Sequence, residues 1–415
     1  MTDANRNWAG NIAYSTATVR TPRTLAELQD AVRKAPRARA LGSRHSFNRI
    51  ADSDAELISL RAFERVVRVD EAARIVTVDG GITYGELCPI LDREGFALHN
   101  LASLPHISVA GAVTTATHGS GLRNKNLAAA VAALKLVTAS GDIVSLKRGD
   151  PDFEAAVVGL GALGIVSELS LDIEPSFEVR QDLFTDLPFA ALADNFDAVM
   201  GAAYSVSMFT KWQGDSIGIA WLKSRVDAPA PPASFFGAKA ATRPWHPIPE
   251  LDPTPCTEQM GVPGPWYLRL PHFRMEFQPS AGAELQSEYF VDRVHASAAL
   301  RALKAVQDQF APLLMIAEIR TVAADSLWLS PARGADCVAF HFTFKPDWPA
   351  VAKVLPVVEW ALRPFNARAH WGKLFTMTPA DMQAGYPQID QYRPLARRYD
   401  PEGKFRNAFL ETYAF

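Results

Sequence analysis

Cysteine is scarce in this chain, and neither sign of charge predominates. Of the 415 residues only three are cysteines, Cys88, Cys256 and Cys337, and they lie far apart without forming a Cys-x-x-Cys pair. This spacing excludes a disulfide-stapled scaffold and fits a reducing compartment. The 42 basic and 45 acidic residues leave a formal net charge of -3, so we expect no nucleic-acid partner.

Long apolar runs and metal-binding motifs are absent as well. No uncharged apolar run reaches the ~20 residues that cross a bilayer, and the N-terminal residues lack the pattern of a signal peptide. The nine histidines include no i, i+4 pair and no His-Glu-x-x-His motif, so we expect no metal. Hydrophobic residues make up 48% of the chain, as in ordinary globular proteins. We therefore expect a soluble, cytoplasmic protein that does not bind membranes. We also expect a monomer, since nothing in the sequence suggests an obligate partner.

Two α+β regions follow each other along the chain. In the first, a helix over 24–34 capped by Thr24 precedes a strand pair and a second helix that ends at Gly95. The composition of the chain changes after Pro175. A dense set of prolines at 226–265 is typical of a long surface excursion.

The region after these prolines predicts a mostly antiparallel sheet. Four segments have the composition of strands: HFRMEFQP, ELQSEYFV, IAEIRTVAA and CVAFHFTF. Helical patterns at 296–310 and 347–362 interrupt them. We expect a second α+β domain here.

One glycine motif is misleading. Gly159, Gly161 and Gly164 match G-x-G-x-x-G, which binds a dinucleotide when the glycines follow a strand and open a helix. Here the order is reversed, because the segment DFEAAVVG, with a helical pattern, precedes the glycines, and IVSELSLDI, with a strand pattern, follows them. We interpret the motif as a helix-to-strand turn.

Two other segments have the composition of a cofactor site. His45 lies in GSRHSFN, where backbone N–H groups of Gly and Ser can form an anion-binding nest for a pyrophosphate. Residues 101–121 are small and almost uncharged, so that a large flat cofactor can lie along the backbone. Each segment alone is also compatible with a plain loop or a buried contact.

Taken together, these residues resemble the flavin oxidoreductases of the vanillyl-alcohol oxidase type, and within that group the alditol (xylitol/sorbitol) oxidases. The shared blocks run in order along nearly the whole chain. They include NWAGN, LGSRHSFN, NLASLPHISVAGAV, THGSG, LGALGIVSEL, EQMGVPGPW, EIRTVAAD, HWGK and DPEGKFRNAF. The resemblance implies an α+β fold with an FAD-binding domain over 1–175, a substrate-binding domain with a large antiparallel sheet over 176–384, and a C-terminal segment, 385–415, that returns to the FAD domain.

The resemblance also implies how FAD is held. His45 matches the residue whose imidazole forms a covalent bond to the 8α-methyl of the flavin, and Ala102 leaves room for O2 beside the ring. The residues placed along the cofactor are Ala40, Leu41, Gly42, Ser43, Arg44, His45, Ser46, Ser103, Ser108, Gly111, Thr115, Ala116, Thr117, His118, Val166 and His370.

Polar pairs occur on three of the predicted strands. Because side chains two residues apart share a face, the pairs are Glu318 with Arg320, His341 with Thr343, and Gln286 with Glu288. Each strand alone is also compatible with a polar face turned to water. Carboxylate, guanidinium, amide and imidazole groups on neighbouring strands suit a ligand made of hydroxyl groups.

The resemblance assigns a substrate site to this surface. The residues around the bound polyol are Ser103, Gln286, Glu318, Arg320, His341, Thr343 and Lys373. Arg320 and Lys373 would stabilise an alkoxide, Lys373 would accept the hydroxyl proton if its pKa is lowered, and Glu318 would hold Arg320 and a second hydroxyl.

The implied reaction oxidises a terminal primary alcohol of an alditol to the aldose, with hydride transfer to flavin N5 and reduction of O2 to H2O2. An aldonolactone oxidoreductase of the same fold is the nearest alternative. A sugar-binding protein without activity and an NAD(P)-dependent dehydrogenase are more distant ones.

Overall fold

Four β-sheets with flanking helices make up the part of the chain that the computed structural model describes, residues 5–229, 231, 234–277 and 283–415. The N-terminal region contains a three-stranded parallel sheet and a five-stranded antiparallel sheet. A nine-stranded antiparallel sheet fills most of the remainder, and a two-stranded pair joins residues 96–97 to 174–175.

The elements that precede residue 176 are short. They are β1 (Val19–Arg20), α1 (Leu25–Lys34), β2 (Ala38–Ala40), β3 (Glu56–Ile58), β4 (Val67–Asp70), β5 (Ile75–Asp79), α2 (Tyr84–Arg93), β6 (Phe96–Ala97), α3 (Val109–Thr114), β7 (Val131–Val137), β8 (Ile143–Lys147), α4 (Phe153–Val157), β9 (Ile165–Asp172) and β10 (Glu174–Pro175).

The elements after it include the longest strands and helices. They are β11 (Glu178–Pro188), α5 (Phe189–Asp194), α6 (Phe196–Met200), β12 (Ser205–Thr210), β13 (Ser216–Arg225), β14 (Lys239–Ala240), β15 (Gly264–Pro265), β16 (Leu285–Asp292), α7 (Ala296–Phe310), β17 (Leu314–Val322), β18 (Cys337–Phe344), α8 (Trp348–Leu362), β19 (Arg368–Ala369), α9 (Pro379–Ala384), α10 (Ile389–Tyr399) and α11 (Ala408–Tyr413).

Local signals in the sequence account for the helices. Thr24 caps α1 as predicted, because its hydroxyl accepts a hydrogen bond from the Glu27 N–H at 3.2 Å. Thr83 and Glu86 form a capping box at the start of α2, and Gly95 follows its end with a φ of +81°. Helix α7 covers the predicted residues 296–310.

The five-stranded sheet confirms the reading of the glycine motif. Its strand order is β4-β5-β9-β7-β8, and the glycines lie between α4 and β9. Gly161 and Gly164 have φ values of +67° and +155°, which L-residues adopt only with strain. The motif is therefore a helix-to-strand turn, the reverse of a dinucleotide-binding strand-to-helix turn.

The nine-stranded sheet separates an apolar face from a polar one. Its order is β14-β11-β13-β12-β17-β18-β16-β19, with β15 paired to β11. Phe340, Phe342 and Phe344 are fully buried, and the Phe342 ring packs edge-on against Phe310 of α7 at 5.6 Å. The opposite face carries the polar pairs. The predicted α+β architecture with a large antiparallel sheet is confirmed.

Two expectations about the middle of the chain are wrong. The segment HFRMEFQP is not a strand over its described residues 272–277, because the N–H groups of His272 and Phe273 both turn toward the Ser103 carbonyl. Its residues Gln278 and Pro279, like residues 230, 232 and 233 of the proline-rich segment, lie outside the described ranges. That proline-rich segment is also not a plain surface excursion, because apolar side chains within 226–265 are buried in the core. Examples are Phe235, Ile248 and Cys256.

The C-terminal segment packs on the N-terminal region. The Asn407 amide donates to the carbonyls of Arg49, Ile50 and Asp52, and the Tyr392 hydroxyl donates to the Gly159 carbonyl at 2.7 Å. The domain limits at 175/176 and 384/385 stay a prediction. Within the described ranges, every helix is too short or too polar to span a membrane.

Candidate active site

A cavity of about 900 Å³ lies between the N-terminal region and the polar face of the nine-stranded sheet. One wall consists of the loop 40–47 and the segment 102–118, and the other of β16, β17, β18 and the turn at 370–373. Every site residue predicted from the sequence lines this cavity except Ala116. Ala116 is buried beside it, in a turn with a φ of +56°.

Small residues make the N-terminal wall shallow. A Cβ added to Gly42 or to Gly111 would lie 2.7 Å from the Ser108 hydroxyl, so that a side chain at either position would displace it. The Ser108 oxygen is itself buried and has no hydrogen-bond partner in the protein. Arg44 adopts a left-handed φ of +65°, which turns the backbone sharply before His45.

His45 is a neutral imidazole at physiological pH. Burial, together with the nearby His106 and Lys373, lowers its pKa to about 3. The Trp8 ring stacks on it with centroids 5.3 Å apart. Its Nδ1 atom is buried without a partner in the protein, as is the Nδ1 atom of His106.

These features fit the flavin that the sequence predicts. A shallow wall of small residues accepts a flat ring, and unpartnered polar atoms are the groups that a bound cofactor would satisfy. Ser108, His45 and His106 supply such atoms along one wall. Neutral imidazole nitrogen is also the nucleophilic form required for a bond to carbon.

Strand register brings the polar pairs together on the opposite wall. Glu288 on β16 lies directly opposite His341 on β18, which in turn lies opposite Glu318 on β17. Gln286 and Thr343 form the neighbouring pair on the same face, since each lies two residues from Glu288 or His341 on its own strand. The predicted shared faces are therefore one continuous surface.

An ion pair lies at the centre of this surface. The Arg320 guanidinium donates to Glu288, and both side chains are nearly inaccessible to solvent. Burial alone would raise the pKa of Glu288, but Arg320 and His118 hold it well below its usual range. The His118 ring lies between the Gly119 carbonyl at 2.8 Å and the Glu288 carboxylate at 3.1 Å.

Glu318 flanks Arg320 on the other side. Its Oε1 atom accepts a hydrogen bond from His272 at 2.8 Å, and its Oε2 atom lies 3.6 Å from the Arg320 Nε. Burial would raise the pKa of Glu318, yet Arg320 and His272 lower it far below normal. The carboxyl group is therefore an anion throughout the working pH range.

Lys373 adds a second cation. Its ammonium donates to the Gln286 side chain and lies 4.7 Å from the centre of the Phe47 ring. Burial lowers its pKa to about 8, with Glu288 opposing and Arg320 reinforcing the change. The Asn48 amide donates to the Lys373 carbonyl at 2.7 Å, which ties this turn to the His45 loop.

His370 packs in the same turn. Its Nδ1 atom accepts a hydrogen bond from the Gly372 N–H at 2.9 Å, and its ring stacks on Phe290. Burial lowers its pKa to about 3, so the ring is neutral. The turn thus presents one neutral imidazole and one cation to the cavity.

Sequence reasoning missed two important residues. The period-two pattern puts the Glu288 carboxylate on the polar face with Gln286, but nothing in the sequence assigns it a role. His272 was hidden in a segment wrongly predicted as a strand, and no local pattern indicates its contact with Glu318, 46 residues away.

Comparisons with known proteins agree with this geometry. Residues 16–147 match a family model described as FAD binding domain, and residues 283–413 match one described as D-arabinono-1,4-lactone oxidase. An alditol oxidase of Streptomyces sp. is 50% identical over 99% of both chains. An L-gulono-1,4-lactone dehydrogenase of Mycobacterium tuberculosis is 28% identical over 97% of both.

Solved structures show the same fold at low sequence identity. A solvent-stable cholesterol oxidase superposes with a TM-score of 0.79 at 15% identity, covering 99% of this chain and 97% of its own. A cholesterol oxidase from B. sterolicum gives a TM-score of 0.79 at 14% identity, covering 99% and 96%. These likenesses concern the fold alone.

The central ion pair yields a first prediction. Replacing Glu288 by Gln leaves Arg320 buried with one counter-charge fewer, so we expect the apparent free energy of unfolding to fall by about 3 kcal/mol. Urea unfolding at pH 7, followed by tryptophan fluorescence, measures the loss.

The matched control is Glu168→Gln. Glu168 also pairs with two cations, Arg68 and Lys135, but on the surface of the five-stranded sheet. Solvent screens such pairs, so the free energy of unfolding should fall much less in this variant. Equal losses in the two variants would contradict the central role of Glu288.

Proposed function

The chain belongs to the alditol oxidase family, and from this membership we propose its reaction. It oxidises the terminal primary alcohol of an alditol, such as xylitol or sorbitol, to the aldose, and O2 is reduced to H2O2. The observation that carries the proposal is the polar surface of β16, β17 and β18, which faces a cavity with a cofactor wall opposite. An alditol is neutral and bears a hydroxyl on every carbon, each able to donate and to accept a hydrogen bond.

The polar surface offers both kinds of partner in a fixed arrangement. Arg320 and the ammonium form of Lys373 are donors without acceptor capacity, and Glu318 is an acceptor without a donor hydrogen. Ser103 and Thr343 add hydroxyl groups that can do either. A fully apolar pocket would leave the hydroxyls of a polyol without partners, at a cost of about 1–3 kcal/mol for each buried group.

FAD, when bound, supplies the hydride acceptor and passes the electrons to O2. The chain's own groups bind the substrate and move its proton. Lys373 takes the hydroxyl proton in its neutral form, and its pKa of about 8 makes roughly a tenth of it neutral at pH 7. Arg320, as a fixed buried cation, stabilises the negative charge that develops on oxygen.

The proposed function includes the way in which FAD is attached to the protein. We place the remaining predicted cofactor residues along FAD, and we propose that an imidazole nitrogen of His45 is bonded to the 8α-methyl. The neutral ring of His45 and its unpartnered Nδ1 atom support this. Ala102, small and lining the cavity, leaves space for O2.

We further propose that the protein acts as a monomer in the cytoplasm. The three cysteines are buried thiols without a disulfide, which supports a reducing compartment. An aldonolactone oxidoreductase is the second candidate, favoured by the match of residues 283–413 to a lactone oxidase family. The substrate experiment below separates the two.

The proposed function predicts that polyols reduce the bound flavin. Under anaerobic conditions xylitol should bleach the visible absorption band of the oxidised flavin, because its primary alcohol transfers hydride. Admission of air should restore the band and form H2O2. A parallel cuvette receives gulono-1,4-lactone. Bleaching by the lactone alone would overturn the proposal in favour of the aldonolactone reaction.

The role of Lys373 predicts a pH profile. Since the neutral amine is the base, kcat/KM for xylitol should rise with pH and level off above about 8, where the folded-state pKa lies. Lys373→Arg keeps a cation that does not lose its proton, so it should lose the rising limb and at least about 100-fold in kcat/KM. An unchanged profile in this variant would exclude Lys373 as the base.

The covalent link predicts where the flavin goes on denaturation. Acid precipitation of the wild type should leave a yellow pellet, and His45→Ala should release the flavin into the supernatant. His106→Ala is the matched control, since this imidazole lines the same wall and also has an unpartnered Nδ1 atom. A colourless wild-type pellet would refute the bond.

A further inference from the structure

Lys223 on β13 is fully buried and forms no ion pair with any carboxylate of the described residues. Its side chain is 1% exposed, and its ammonium donates to the carbonyls of Leu270 and Pro271 and to the Nδ1 atom of His272 at 3.1 Å. An ammonium has three N–H groups, and these are its three acceptors. Burying a charge in this way is expensive unless every hydrogen bond is made.

This contact fixes the tautomer of His272. Burial, reinforced by Lys223, lowers the pKa of His272 to about 4, so the neutral ring carries a single hydrogen. Because Nδ1 accepts from Lys223, that hydrogen resides on Nε2, which lies 2.8 Å from Glu318. In histidine, the hydrogen bond made by one ring nitrogen decides whether the other nitrogen carries the hydrogen.

The ring is held in place by aromatic neighbours. Phe209 and Trp221 pack against it edge-on, with centroids 5.5 and 5.1 Å from the imidazole. His272 therefore has one orientation, and it donates to the Oε1 atom of Glu318. The Oε2 atom lies 3.6 Å from Arg320, beyond hydrogen-bond distance, and is left to accept from a ligand.

We propose that Lys223 and His272 are positioning residues that orient Glu318 toward a non-reacting hydroxyl of the substrate, and that they thereby set the preference for polyols over simple alcohols. The inference rests on the proposed function. Lys223 lies outside the cavity lining, whereas His272 and Glu318 are part of it. Lys223 acts through His272, and His272 acts through Glu318.

The test compares two substrates that differ only in their non-reacting hydroxyls, of which xylitol has four and 1-pentanol none. Xylitol and 1-pentanol both offer a primary alcohol on a five-carbon chain, but only xylitol has hydroxyls for Glu318 to bind. Rates of flavin bleaching under anaerobic conditions give kcat/KM equivalents for both, even where turnover is slow. Measurements at pH 6 keep the ammonium charged, because burial lowers the pKa of Lys223 to about 7.

Lys223→Met should lose polyol preference selectively. Without the ammonium, the buried Nδ1 atom of His272 has no donor, so the ring loses the contact that aims its Nε2–H at Glu318. We expect at least about tenfold lower efficiency with xylitol, chiefly through KM, and less than about threefold change with 1-pentanol. Lys345→Met is the control, because Lys345 also donates to a proline carbonyl, at 2.9 Å, but is exposed and remote from the cavity.

A second pair of variants covers the case in which Lys223→Met does not fold, which its flavin absorbance reveals. His272→Phe keeps the aromatic packing and removes the donor, so it should show the same selective loss. His272→Gln keeps an N–H for Glu318 and should restore the xylitol rate to within about threefold of wild type.

The outcomes separate the alternatives. Equal losses on both substrates, or no rescue by Gln, would assign Lys223 and His272 a structural role only. An unchanged xylitol KM in all variants would also overturn the proposal. A wild-type protein that no alditol reduces would instead refute the proposed function.

Discussion

Arg320 is the buried cation on which the polar end of the cavity depends. It lies between Glu288 and Glu318, and these carboxylates raise its pKa against the lowering effect of burial. Removing such charges from water costs several kcal/mol per ion, and close pairing offsets this only when further hydrogen bonds are made. His118 supplies one to Glu288 and His272 supplies one to Glu318. The charges are thus oriented before a substrate binds, as electrostatic stabilisation of a transition state requires.

The same register that builds the hydrophobic core also builds the site. Phe342 faces α7, and its neighbours His341 and Thr343 must therefore face the cavity. A slip of one residue between β16 and β18 would bury the polar side chains against the helices and expose the phenylalanines. Because that arrangement is strongly unfavourable, the positions of Glu288 and Glu318 are specified by apolar packing rather than by their own interactions.

This division explains what could be predicted from the sequence. Periodicity and caps identify α1, α2, α7 and the polar faces of three strands, since these signals act within a few residues. The resemblance to the alditol oxidases predicts the cofactor wall as well, but it assigns no role to Glu288. The contacts of His272 were out of reach, because they join Lys223 and Glu318 across 49 and 46 residues through a loop that local composition favours as a strand. Long-range hydrogen bonds from a loop residue to two strands leave no periodic pattern.

The glycine motif shows why residue letters need structural context. In a dinucleotide site such glycines present N–H groups to a phosphate at the start of a helix. Here the turn presents carbonyls instead: those of Leu160 and Gly161 accept hydrogen bonds from the buried guanidinium of Arg39. The left-handed φ values of +51° and +67° at these two residues belong to this turn. Arg39 also binds the carbonyl of Phe405, so the glycines help to fasten the C-terminal segment. The same letters thus form a cation site, with electrostatics opposite to those of a phosphate loop.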